Sequence, residues 1–143
     1  MKFMVLVKAT KDSEAGRMPD EAMLRAMMAY NEELFAAGVM QAGEGLHPSS
    51  RGARVRFAGD TRTVIDGPFA ETKELIAGFW IMETQSLQEC IDWVRKCPNP
   101  HYEDSELEIR QIFAPEDFGD LAPDVIAREE EMRAEFDARK KKG

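Results

Sequence analysis

Histidine and cysteine are scarce, two of each in 143 residues. Most transition-metal sites are built from those side chains, so the sequence predicts neither a metal nor any other cofactor. Basic residues are also in deficit, 19 against 27 acids, which leaves a formal charge of -8 and a pI of about 4.9. A nucleic-acid binder needs a basic footprint and an anionic membrane attracts one, so neither is an expected direct partner. Long hydrophobic runs are missing too. No window approaches the ~20 apolar residues of a membrane span. The apolar run over residues 3–7 is too short for a secretory core and is closed by Lys8. Free thiols at Cys90 and Cys97, seven apart, fit a reducing compartment, and the expected location is cytoplasmic. If one helix carries both, they lie roughly 10 Å apart and cannot pair.

What is present is the pattern of a single globular domain with a tail. Residues 3–7 are β-branched and apolar, a central strand. Residues 11–17 are polar and read as a loop. Pro19-Asp20-Glu21 opens a helix over 18–37, with Met23, Met27, Tyr30 and Leu34 on one face and Gly38 behind it. The methionines at 18, 23, 27, 28 and 40 read as core. A short strand over 39–42 leads to Gly43-Glu44-Gly45. Residues 53–57 and 62–65 form a hairpin around Gly59-Asp60, and 75–83 read as a buried strand. Ser86 and Glu89 make a capping box for a helix with Leu87, Cys90, Ile91 and Val94 on one face. Residues 106–112 alternate as a half-buried strand.

This order, β-α-β-hairpin-β-α-β, predicts an α+β fold of the ferredoxin-like type: an antiparallel sheet with both helices on one face. The other face, expected to hold Phe3, Phe79 and Trp80, is too apolar for water, and pairing two copies face to face in a homodimer covers it. Residues 1–114 form the domain and 115–143 a charged tail. Its helix, 123–142, carries six acids and six bases, so the whole net charge lies in the residues before it.

One block is distinctive: Asp66-Gly67-Pro68-Phe69-Ala70-Glu71-Thr72-Lys73-Glu74, followed by Gly78-Phe79. With Ala42-Gly43-Glu44-Gly45-Leu46 and Glu108-Ile109-Arg110, it resembles the YCII-related proteins, in particular the subgroup named for the Asp-Gly-Pro-Phe motif. The resemblance covers roughly residues 1–113. It implies a dimeric α+β barrel, a bacterial source, and association with sigma factors of the extracytoplasmic-function type. Some relatives use a His–Asp pair with the histidine on the first helix, and one eliminates chloride from a chlorinated hydroxyquinol. Here that helix has no histidine, with Ala26, Met27 and Met28 near the expected position. Only Asp66, and Tyr30 as a polar group on the helix, remain as counterparts.

The residues themselves give these candidates. Asp66, at a strand end before a Gly-Pro turn, is held where a general acid or base is useful, and an Asx-turn competes for the same carboxylate. His47 suits acid–base work by its ordinary pKa. Tyr30 and Trp80 read as core residues whose polar tips can reach a cavity. Glu44 sits between two glycines that admit a close ligand. Glu71 and Lys73 point the same way in an extended segment, as an ion pair or a carboxylate anchor. Arg110 can neutralise Asp66, bind an anion or pair across strands. His101 reads as a solvated loop histidine. Two functions follow: a small-molecule-binding or regulatory dimer associated with a sigma factor, or a small cofactor-free lyase or isomerase using Asp66.

Overall fold

The computed structural model describes residues 1–142. Four strands form one antiparallel sheet: β1 (Lys2–Lys8), β2 (Met40–Gly45), β5 (Ile76–Glu83) and β6 (Leu107–Gln111), in the order β2-β5-β1-β6. Strands β3 (Ala53–Ala58) and β4 (Thr61–Asp66) pair only with each other. The helices are α1 (Lys11–Glu14), α2 (Glu21–Ala36), α3 (Leu87–Val94) and α4 (Pro123–Lys142). The α+β class and the ferredoxin-like strand order are those the sequence predicts. The chain divides into two compact units after Ile112; α4 belongs to the second and carries no buried residue. No described helix is long and apolar enough to cross a membrane.

Period-two alternation decides what the sheet buries. Phe3, Val5 and Val7 of β1 stand opposite Met82, Trp80 and Gly78 of β5, and all six face the helices. Tyr30 and Leu34 of α2 and Cys90 of α3 close on them to complete the core. Phe3 and Trp80 therefore do not lie on the open face, as the sequence reading had them. Their register places Met4, Leu6, Phe79 and Ile81 there, half-buried among themselves.

Several local expectations need correction. Residues 11–14 are helical, because Thr10 and Ser13 cap each other: the Thr10 amide donates to Ser13 Oγ (2.8 Å) and the Ser13 amide to Thr10 Oγ1 (3.1 Å). Asp20 is the N-cap of α2, accepting from the Met23 amide at 2.8 Å, so Pro19 precedes the helix. Met18 and Met28 are exposed, not core. The Ser86 capping box is half-formed. Ser86 Oγ accepts from the Glu89 amide (3.1 Å), but Glu89 reaches back to the Gln85 amide (2.6 Å). Leu87, in the first turn, is exposed. Helix α3 ends at Val94, so Cys97 lies beyond it, and both thiols are free.

Candidate functional site

The helix side of the sheet does not close completely. Between β1, β2, β5, α2 and the loop after α3 lies a cleft of about 760 Å³. Its apolar walls include Met18, Pro19, Met27, Leu46 and Trp80. Its polar groups come from segments far apart in sequence: Arg17, Asn31, Glu44, His47, Arg51, His101 and Tyr102. Volume and lining are those of a small-molecule site, mostly apolar with a few polar groups that fix orientation.

Trp80 forms the floor. Its indole N–H donates to Asn31 Oδ1 at 2.9 Å, and Tyr30 packs edge-on against it with ring centroids 5.8 Å apart. A Cβ at Gly43 would stand 2.9 Å from the Trp80 ring. That glycine therefore makes room for the indole and not for a ligand. One wall is the segment 46–51. Arg51 Nη1 lies 3.2 Å from His47 Nε2 and 3.4 Å from Nδ1, and Arg51 has no carboxylate within 4 Å among the described residues. The opposite wall carries His101, whose Nε2 meets the Lys8 carbonyl at 2.7 Å. Beside it, Arg17 pairs with Asp12 at 3.0 Å and lies over the Tyr102 ring, and the Tyr102 hydroxyl accepts from the Asp20 amide.

The predicted site residues divide sharply. Trp80, Glu44 and His47 line the cleft; Asp66, Glu71, Lys73, Arg110 and Tyr30 do not. Asp66 is exposed at the end of β4, and its carboxylate makes neither the Asx-turn bond nor an ion pair among the described residues. Lys73 and Glu71 are exposed and form no ion pair with each other among the described residues. Arg110 lies on the open sheet face and pairs along its own strand with Glu108 at 3.5 Å. Tyr30 is core. Its hydroxyl donates to the Trp93 carbonyl at 2.9 Å, and burial raises its pKa well above the ordinary tyrosine range.

The Asp-Gly-Pro-Phe block does structural work behind the cleft wall. The Phe69 amide donates to Ser49 Oγ at 3.0 Å and the Gly67 amide to the Gly52 carbonyl at 3.1 Å. Glu14 accepts from both the Ser49 amide, at 3.0 Å, and the Ser49 hydroxyl. Arg54 lies over the Phe69 ring, 3.8 Å from its centroid. These contacts tie α1, the motif and the root of the hairpin to the turn that carries Arg51. Sequence reasoning missed Arg17, Asn31, Arg51 and Tyr102, and it read His101 as solvated. No local motif marks them, because strand order alone brings them together. Among the described residues no group of three or more His, Cys, Asp or Glu is placed to hold a metal.

The chain is 32% identical over 93 residues to an uncharacterised protein of Rhizobium meliloti (strain 1021), covering 65% of this chain and 75% of that one. Among solved structures it is similar to the 5-chloro-2-hydroxyhydroquinone dehydrochlorinase of Burkholderia phenoliruptrix AC1100, in complex with 2,5-dihydroxybenzoquinone. The identity is 21%, the coverage 79% of this chain and 94% of that one, and the TM-score 0.42. The YCII-related domain matches residues 1–115, and the chain belongs to the YCII-related family.

Proposed function

We propose that this protein is a homodimer that binds a small organic molecule in the cleft above Trp80. The observation that carries the reading is the cleft itself: about 760 Å³, apolar walls, and Arg51, His47 and His101 converging on it. The test is intrinsic fluorescence in a Trp93→Phe background, where Trp80 is the one remaining indole. A panel of small organic acids, enols and quinols should contain members that quench it saturably. Arg51→Ala should weaken those members at least severalfold. A flat response across the panel refutes the reading.

Two surfaces support the dimer. The open sheet face presents Met4, Leu6, Phe79 and Ile81 as one apolar patch. The β3–β4 hairpin is exposed along its whole length, including Val55, Phe57, Val64 and Ile65. A two-stranded hairpin is marginal in water without cover. Leu6→Lys should shift the sedimenting species from dimer to monomer, and an unchanged dimer refutes this interface. A sigma factor of the extracytoplasmic-function type as partner is the regulatory form of the same proposal. Its test is pull-down with and without residues 115–143.

A further inference from the structure

We propose that His101 is a proton acceptor, and that the molecule taken into the cleft is a carbon acid: a small carbonyl compound that gives up a proton from carbon. The proposal rests on the small-molecule reading of the cleft and adds a chemical class to it.

The geometry of one ring carries the argument. His101 lies in the loop after α3, 93 residues from its partner, and its Nε2 is 2.7 Å from the Lys8 carbonyl oxygen. A carbonyl only accepts, so Nε2 carries hydrogen and the neutral ring keeps its lone pair on Nδ1. Strand β6 begins opposite Val7, so the Lys8 carbonyl stands just past the end of that ladder. The histidine occupies a sheet-end acceptor that no strand uses. Its loop is stapled in turn by Asn99. The Asn99 side chain accepts from the His101 amide (3.0 Å) and the Ser105 hydroxyl (2.7 Å), and donates to the Glu103 carbonyl (2.9 Å). A fixed ring with one defined free lone pair, beside an apolar cleft, is what a general base requires.

Three other candidate bases are engaged or misplaced, while Glu44 and Glu103 border the cleft as exposed carboxylates. Arg51, which can only donate, already sits at both ring nitrogens of His47. Asp12 is paired with Arg17, and Asp66 lies outside the cleft. Arg51 supplies a positive charge on the same cleft to set against a developing oxyanion. In the step itself, Nδ1 takes the proton from carbon. The C–H electron pair forms a carbon–carbon double bond as the carbonyl π pair moves onto oxygen, giving an enolate. Where a further double bond is conjugated with the enolate, return of the proton from Nδ1 to its far carbon is isomerisation. Collapse of the enolate with departure of a leaving group and its electron pair is elimination, and the proton then passes to water. Neither route needs an oxidant or a reductant.

The test uses the full chain and 5-nitrobenzisoxazole, a probe that reports a base in an apolar site. Removal of its ring proton breaks the N–O bond and forms a nitrile and a coloured phenolate. The wild type should convert it saturably, His101→Gln should lose about a hundredfold in rate, and Asp66→Asn, exposed and outside the cleft, should stay within about twofold. Glutamine keeps a donor for the Lys8 carbonyl, and fluorescence quenching by the probe reports whether the variant still binds. A second measurement needs no variant: long-range ¹⁵N–¹H correlation at neutral pH should show His101 as the Nε2–H tautomer with a bare Nδ1. Quenching with no turnover, or equal turnover in His101→Gln, overturns the base and leaves the cleft reading standing. A tautomer with hydrogen on Nδ1 also overturns it. Turnover lost in His101→Gln with quenching retained supports both.

Discussion

Gly67 tests whether the Asp-Gly-Pro-Phe block is a structural latch. A Cβ built there stands 1.7 Å from the Ser49 carbonyl oxygen and 2.6 Å from its carbon. An ordinary carbon–oxygen contact is about 3.3 Å or more, so Gly67→Ala must part the two backbones by roughly 1.5 Å at that point. No side-chain rotation relieves this, because both partners are main chain. The displacement disrupts the bonds that join the same segments, Gly67 amide to Gly52 carbonyl and Phe69 amide to Ser49 Oγ. Each is worth about 1 kcal/mol, and the overpacking adds about 1–3 kcal/mol. The expected cost is therefore about 3–5 kcal/mol, limited above by the free energy at which the hairpin and its root open on their own.

That upper limit calls for two readouts. Urea unfolding followed by tryptophan fluorescence gives the global cost. Amide hydrogen exchange at Gly67 and Phe69 gives the local one. In Gly67→Ala the Phe69 amide should lose its protection even if the urea midpoint moves only part of the way. Gly45→Ala is the control: nothing lies within 4 Å of its Cβ, and its effect should stay within about 0.5 kcal/mol. A Gly67→Ala protein with a wild-type midpoint and a protected Phe69 amide would refute the latch.

Other consequences follow from the buried polar groups. Tyr30→Phe leaves the Trp93 carbonyl without its 2.9 Å donor and should cost about 1 kcal/mol in thermal or urea unfolding. Asn31→Ala removes the acceptor of the Trp80 indole and should cost a similar ~1 kcal/mol, with a shift in the emission maximum that Tyr30→Phe does not reproduce. Burial pushes the Cys97 thiol up to about 12 and raises Tyr30 as well. In the unfolded chain these groups titrate near ~8.5 and ~10, so above about pH 8.5 the unfolded state loses protons that the native state keeps. Stability should be intact at neutral pH and fall as pH rises toward 12, with a shallower fall in Cys97→Ser. For the same reason Cys97, and the fully buried Cys90, should resist alkylation until the chain unfolds.

The elements were legible because their signals are local. The β-branched strand over 3–7, the Gly59-Asp60 turn and the charged helix over 123–142 each declare themselves within a few residues. Which side of the sheet a residue faces was less legible. Phe79 and Trp80 are adjacent and both aromatic, and only the register against Val5 and Leu6 sends one to the open face and the other to the core. The cleft was least legible. His101 is fixed by a carbonyl 93 residues away, and Arg51 is placed by a turn that Glu14 holds from 35 residues upstream. No spacing rule encodes such pairs, so the sequence drew attention to the one conspicuous block it contains.

The block's conspicuousness has a physical source that does not involve chemistry on a ligand. Each of its members with a defined role is constrained by shape. Gly67 has no room for a side chain, the Phe69 amide is used by Ser49, and the Phe69 ring sits under Arg54. The one member with chemical potential, Asp66, faces solvent. A tightly constrained backbone crossing admits few residue types and so forms a recognisable motif. A cleft side chain such as His101 or Arg51 needs only the right position, which many sequences can supply. What the cleft can bind is therefore set by the groups that the latch holds in place and not by the latch.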